Sequence, residues 1–214
     1  MQHILGEASI YELTLKSDAR ALIPRQDSAE AISLAIDSLS GMGLLIPAIA
    51  DLGTGSGVLL AEILHRFENA RGFAIERDEK ALSLAAENFE TLGLSDRTEM
   101  FKGSWAEWQS WAKCDLIVSN PPYIRCDVIP TLQTEVRDYD PMAALDGGVD
   151  GLDAYREITE LAAAQMKPGA YLVFEIGFDQ KEAVSQLLLK AGFTDLRHQQ
   201  DLGGQDRAIA ALKS

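Results

Sequence analysis

"ADLGTGSGVLLAEIL", Ala50 to Leu64, decides how this chain folds. An apolar run ends in Asp51 and Leu52, glycines follow at alternate positions (Gly53, Gly55, Gly57), and apolar residues then recur at helical spacing. Strand, glycine turn and helix in that order make the first half of a βαβ unit. Glycines at such a junction let a ligand approach the backbone closely and expose the first N–H groups of the helix. The pattern is G-x-G-x-G, with Val58 standing where a dinucleotide fingerprint carries its third glycine.

Working outward from this junction, short apolar runs alternate with helical patterns, as in a layered α/β sheet. Strands are expected at 44–52, 70–76, 97–101, 114–119 and 170–176, with helices over 56–67, 78–92 and 152–166 between them. After a helix at 179–191, "FTDLRHQQ" and "DRAIAALK" are separated only by "DLGGQ", so the sheet ends in an antiparallel hairpin. The expected architecture is a three-layer α/β sandwich on seven strands, six parallel and one reversed. Upstream, "SIYELTLK" and "ALIP" read as a hairpin or extended arm over residues 1–26, and the domain proper runs from 27 to 214. Residues 120–150 lack clear periodicity, and loops of that length in compact domains are usually functional or disordered.

Composition narrows the function classes. The 214 residues suit one domain with its own core. Nineteen Lys and Arg against thirty-three Asp and Glu leave a net charge of -14. That balance disfavours a partner held mainly through phosphates. The longest apolar stretch is short and contains Pro47, which argues against a membrane span, and the first twenty residues lack a signal-peptide core. A cytoplasmic monomer is expected. Cys114 and Cys126 lack a disulfide framework, and with three scattered histidines they offer no metal-ligand spacing.

Two further positions converge on the glycine turn. Glu76 ends the second strand, where a carboxylate can accept hydrogen bonds from both ribose hydroxyls of a nucleoside. Together the loop (Gly53, Thr54, Gly55, Ser56, Gly57) and Glu76 resemble the cofactor site of class I AdoMet-dependent methyltransferases, which are Rossmann-like. Trp105 follows the third strand, where such enzymes flank the adenine. Trp105, Trp108 and Trp111 also recur at a spacing of three, which fits a turn packing on the sheet. Many such enzymes carry an acid where Ser104 stands.

"CDLIVSNPPYI" (114–124) ends the fourth strand in an unusual rim. Residues before proline are driven to extended geometry, and proline has no N–H, so Asn120, Pro121 and Pro122 present carbonyl acceptors with few donors. A planar NH2 group suits such a rim. The Asn120 side-chain carbonyl and Pro121 main-chain carbonyl can accept its two hydrogens while Tyr123 covers its flat face. Amide and aryl amines are poor nucleophiles, so catalysis here must rest on orientation, worth roughly 7–11 kcal/mol in favourable cases. Adenine, guanine and glutamine all carry such a group.

"ALIPR" (21–25), "DLGTGSG" (51–57), "SNPPYI" (119–124), "EVRDYDPMAALDGGVDGLDAYREI" (135–158), "FEIGFDQ" (174–180) and "GGQDRAIAA" (203–211) together resemble bacterial peptide chain release factor N(5)-glutamine methyltransferases. The likeness runs from about Ile4 to the C-terminus, and the stretch after "NPPY" is its most particular part. The resemblance implies AdoMet held by Gly53–Gly57, Glu76, Trp105 and Asn120. It implies a substrate glutamine held by Asn120, Pro121, Pro122 and Tyr123, with Asn120, Pro121 and Tyr123 catalytic. The implied product is N(5)-methylglutamine in a Gly-Gly-Gln motif of a release factor. Two departures stand out. Gln26, Asp27, Ser28 and Ala29 replace a Pro-Glu-Thr-Glu run, and the first residues are read as the linker that follows the helical N-terminal domain of such enzymes, as expected of either a truncated chain or a naturally short relative.

Two rivals share the motifs: a nucleic-acid amino-methyltransferase flipping a base onto Tyr123, and a non-catalytic AdoMet-binding protein. Acidic charge and the loop after "NPPY" rank the first lower, and the intact amine-holding motif ranks the second lower. Gly203, Gly204 and Gln205 spell the substrate motif in the chain itself, but a hairpin turn needs glycine there. His3, His65 and His198 are assigned no role, Asp51 is expected to brace the glycine loop, and Arg25, Arg137 and Asp138 read first as solvated loop charges, with framing of the substrate entrance as the alternative.

Overall fold

A computed structural model describes residues 6–137 and 140–214; His3 and Asp138 lie outside them. Strands β1 (Glu7–Ser9) and β2 (Thr14–Lys16) precede helix α1 (Ser28–Met42). The chain then runs through β3 (Ala48–Leu52), α2 (Val58–Arg66), β4 (Arg71–Glu76), α3 (Glu79–Thr91), β5 (Thr98–Lys102) and β6 (Leu116–Ser119). A single turn, α4 (Thr134–Arg137), and α5 (Asp153–Gln165) lead to β7 (Tyr171–Glu175), α6 (Lys181–Lys190), β8 (Phe193–Gln200) and β9 (Asp206–Lys213).

Seven strands form one sheet in the order β5-β4-β3-β6-β7-β9-β8. β3 to β7 are parallel, and β9 pairs antiparallel with both β7 and β8. One strand of seven is therefore reversed. The order changes direction between β3 and β6, which opens a crevice beyond their carboxyl ends. Both strands are almost wholly buried, as central strands covered on two faces must be, and their sequences are correspondingly apolar.

Helices cover both faces. Ile32, Leu60, Ile63 and Phe89, from α1, α2 and α3, fill the core on one side of the sheet. Tyr155 and Ile158 of α5 and Val184 and Leu188 of α6 fill the other, with Trp108 and Trp111. Local chemistry fixes the ends: Asp78 caps α3 by accepting from the N–H groups of Lys80 and Ala81, and Gly43 ends α1 at φ 63°.

The first sheet strand starts at Ala48, four residues later than its apolar run suggests. After the left-handed Gly43, Leu44, Leu45 and Ile46 turn outward at the amino edge of the sheet and are exposed. Hydrophobicity without a pairing partner does not make a strand. β6 similarly begins at Leu116, because Trp111–Lys113 forms a 3-10 turn just before it.

The β1–β2 hairpin is pinned to the sandwich by two buried polar side chains. Glu62 accepts from the N–H groups of Glu12 and Leu13, with the closer contact to Leu13 at 2.9 Å. Asn88 accepts from Lys16 N–H at 2.8 Å and donates to the carbonyls of Lys16 and Ser56. Ile10 and Leu15 join the core of α1 and α2. Among the described residues no helix is long and apolar enough to cross a membrane, and no cluster of His, Cys, Asp and Glu could hold a metal ion.

Candidate active site

The crevice beyond β3 and β6 holds a cleft of about 1230 Å³ including its open mouth. Its floor is the glycine turn. Gly53, Gly55 and Gly57 have φ of 74°, 57° and 86°, left-handed values that side chains rarely tolerate. The turn is braced from below, where Thr54 donates its hydroxyl to Asp51 at 2.7 Å. Asp51 is fully buried, and burial pushes its carboxyl up to about 7, against the lowering effect of the Thr54 hydrogen bond. Its second oxygen, Oδ1, is buried with no hydrogen-bond partner among the described residues.

Glu76 closes one side. Its Oε2 accepts from Gly55 N–H at 3.1 Å and its Oε1 from Asp78 N–H at 3.0 Å. Each oxygen keeps a second lone pair, so the backbone fixes the carboxylate while leaving acceptors for a ligand. Trp105 also lines the cleft, its ring 3.8 Å from where a Cβ on Gly53 would be. The tryptophan triplet is thus divided. Trp105 lines the cleft, whereas Trp108 and Trp111 are buried in the core. Ser104 is bonded to Glu107, which accepts from both its N–H and its hydroxyl.

Asn120, Pro121 and Pro122 line the far end of the same cleft. Among the described residues, no partner engages the Asn120 side-chain amide. The structure therefore brings Gly53, Thr54, Gly55, Ser56, Glu76, Trp105, Asn120, Pro121 and Pro122 to one wall system. Gly57 and Tyr123 fall outside it. A Cβ on Gly57 would meet Phe89 at 2.8 Å, so this glycine serves the close packing of α2 on α3. Tyr123 leans into the core of α5 and α6, and burial pushes its phenol above the usual range.

Three further features shape the site. The arm supplies a wall: Arg20 to Arg25 line the cleft, held by Arg25 to Asp140 at 3.3 Å. Pro141, Ala143 and Ala144 face them across the opening. Next, "LDGGVDG" (145–151) clamps the proline rim. Ile124 N–H donates to Leu145 and Gly147 N–H to Ile124, and a Cβ on Gly147 would meet Tyr123 Cα at 2.8 Å. Three glycines within five residues were the available signal for close backbone approach.

Gln180 is the third feature; it closes "FEIGFDQ", a stretch that carried the resemblance without a role for this side chain. Its Nε2 donates to the carbonyls of Tyr123 (3.0 Å) and Gly151 (3.1 Å), and its Oε1 accepts from Gly177 N–H (3.0 Å). Beside it, Glu175 is buried and bonded by the Ser28 hydroxyl at 2.7 Å; burial raises its carboxyl to about 7. Of the positions assigned no role, His65 lies at the amino edge with Leu44, and His198 contacts Ser185 on α6. The "GGQ" of residues 203–205 is the β8–β9 turn, with Gly204 at φ 78°.

Residues 34–132 match the family described as methyltransferase small domain. The release factor glutamine methyltransferase of Caulobacter vibrioides is 36% identical over 214 residues, covering the whole chain and 73% of that protein. Others of the same description include that of Bradyrhizobium diazoefficiens, 39% identical over 98% of this chain and 71% of its own length. Among solved structures, the catalytic domain of hMettl16 in complex with a MAT2A 3′UTR hairpin superposes with a TM-score of 0.74 at 14% identity, covering 95% of this chain and 77% of that one. That likeness speaks for the fold.

Proposed function

The chain belongs to the release factor glutamine methyltransferase family, and from that premise we propose that it transfers a methyl group from AdoMet to the side-chain amide of a release factor glutamine, within a Gly-Gly-Gln motif, in the cytoplasm and as a monomer. One observation carries this assignment to the residues: the acceptor-rich, donor-poor rim of Asn120, Pro121 and Pro122 shares a single cleft with the glycine turn and Glu76.

The residues present fit AdoMet. The left-handed glycines leave the floor open to a ligand, and Glu76 keeps free acceptors suited to a ribose diol. Gly53 to Ser56, Glu76, Trp105 and Asn120 would hold it, with the arm at Arg20–Arg25 closing over it. When bound, AdoMet supplies an electrophilic methyl group on a sulfonium.

The rest falls to the chain. Asn120 Oδ1 and the Pro121 carbonyl accept the two amide hydrogens, which fixes the plane of the acceptor and turns its lone pair toward the methyl. Tyr123 flanks this rim from a backbone held by Gly147, Gly151 and Gln180. No histidine lines the cleft among the described residues, and none is required, because an amide nitrogen becomes strongly acidic once alkylated and gives its proton to water.

The direct test is mass spectrometry of release factor incubated with enzyme and AdoMet, using the wild-type protein and its acceptor Gln→Glu and Gln→Asn variants. One added methyl on the wild-type glutamine is expected. None is expected on Glu, which has no N–H to offer, and little on Asn, which is one methylene too short. Undiminished methylation of the Gln→Glu protein would place the acceptor elsewhere.

A further inference from the structure

Exposed apolar side chains gather on one side of the rim. Val149 (80% exposed) lies inside the glycine clamp, between Gly148 and Gly151. Phe178 (60% exposed) lies between Gly177 and Gln180, the two residues that tie the loop after β7 to the Tyr123 carbonyl. Val128 follows Cys126, whose N–H donates to Gly148 at 3.0 Å. Three chain segments, joined by these hydrogen bonds around Tyr123, thus each present an apolar side chain to solvent. Scattered apolar residues are ordinary on a surface, but convergence beside a candidate site marks a contact region.

Charge on the same segments is one-sided. Over 125–128, 146–156 and 177–180, Asp127, Asp146, Asp150, Asp153 and Asp179 outnumber Arg125 and Arg156. Arg125 is paired with Asp127, and Arg156 with Asp150 and Asp153, so the surplus is negative. A partner seated here must bring apolar side chains at its centre and Lys or Arg at its margin. A second copy of this chain, itself at net charge -14, is a poor match.

Resting on the function proposed above, we infer that Val128, Val149 and Phe178 form the docking surface for the protein substrate, taking apolar and basic side chains that flank the acceptor glutamine. The cleft takes the glutamine itself; this surface takes the body that carries it. It is therefore a determinant of affinity for the intact protein and not of the chemical step.

Kinetics on two substrates test this, using intact release factor and a short peptide spanning its Gly-Gly-Gln. For the double variant Val128→Ser, Phe178→Ser, KM for the intact protein is expected to rise about tenfold. The kcat, and kcat/KM for the peptide, should stay within about twofold. Added salt should raise the wild-type KM for the intact protein more than for the peptide. Leu45→Ser, equally exposed at the opposite edge of the sheet, should change neither. An unchanged KM for the intact protein overturns the inference while leaving the proposed function standing. So does a parallel loss on the peptide, which would mean that the variant disturbs the cleft. Self-association at assay concentration, abolished by the double variant, would assign the surface to a second copy instead. Wild-type enzyme that methylates neither substrate refutes the function itself, and the inference with it.

Discussion

The Gln180 side chain donates to the Tyr123 carbonyl at 3.0 Å across 57 positions of sequence, and every hydrogen-bonding direction it uses lies within the protein. Tyr123 is thereby set from outside its own loop. Gln180→Glu keeps the shape but removes both donors and adds charge beside two carbonyls. Each buried carbonyl left unpaired costs about 1–3 kcal/mol. We expect kcat for methyl transfer to fall by more than tenfold while AdoMet affinity changes little, since Gln180 does not line the cleft. Steady-state kinetics with calorimetry separate the two; losses of equal size in both would make Gln180 a general structural residue and not a positioning one.

Gly147 tests the same clamp by volume. A methyl group there must displace backbone, with Tyr123 Cα at 2.8 Å and the Pro122 carbonyl at 2.9 Å. Gly147→Ala should lower stability by about 1–3 kcal/mol and depress methyl transfer. Gly169→Ala, where a Cβ meets nothing within 4 Å but φ is 83°, should show only the backbone penalty and keep its activity. Urea unfolding and initial rates on both variants check this.

Glu76 and Asn120 share the cleft but differ in task. Glu76→Ala removes an anchored pair of acceptors and should weaken AdoMet binding by about 1.5–3 kcal/mol, the range for hydrogen bonds to a charged group. Asn120→Ala should reduce kcat about a hundredfold, as misplacement of an acceptor does, with a much smaller loss of AdoMet affinity. Calorimetric titration giving unchanged affinity for Glu76→Ala would remove it from the site.

Asp51 and Glu175 both hold protons near neutral pH, each raised to about 7 by burial from ordinary values of 3.8 and 4.5. The folded protein then binds protons that the unfolded chain releases. Their contribution to stability therefore falls as pH rises from about 4 to about 7, by at most about 1.4 kcal/mol per pH unit for each group. Carboxylates lowered by ion pairs, such as Glu87 beside Arg20 and Lys16, titrate below this window. His198, lowered by its partial burial, gives a slope of opposite sign below its ordinary 6.5. Thermal unfolding of the ligand-free protein should show melting temperature dropping between pH 5 and 7.5, with a shallower drop for Asp51→Asn. A rising melting temperature over that range would mean that both carboxylates ionise normally in the fold.

What the chain announced on its own was local in origin. β8 and β9 fall at 193–200 and 206–213, on either side of a short glycine turn, and the glycine turn after β3 lies where its spacing put it, because helical pitch and positive φ are properties of a few adjacent residues. The acceptor-rich rim at Asn120 was legible for the same reason: proline dictates its own geometry and that of the residue before it. Long-range contact decided the rest. Three tryptophans at equal spacing look alike in sequence, yet the end of β5 leaves Trp105 in the cleft and packs Trp108 and Trp111 into the core. Leu44 to Ile46 are as apolar as a strand but meet no partner. The arm became a wall of the cleft because Glu87 and Asp140, 67 and 115 positions away, pair with Arg20 and Arg25. Gly147 and Gln180 acquired their purpose only when folding brought them against Tyr123, since a steric limit or a hydrogen bond between distant residues exists only once both are in place.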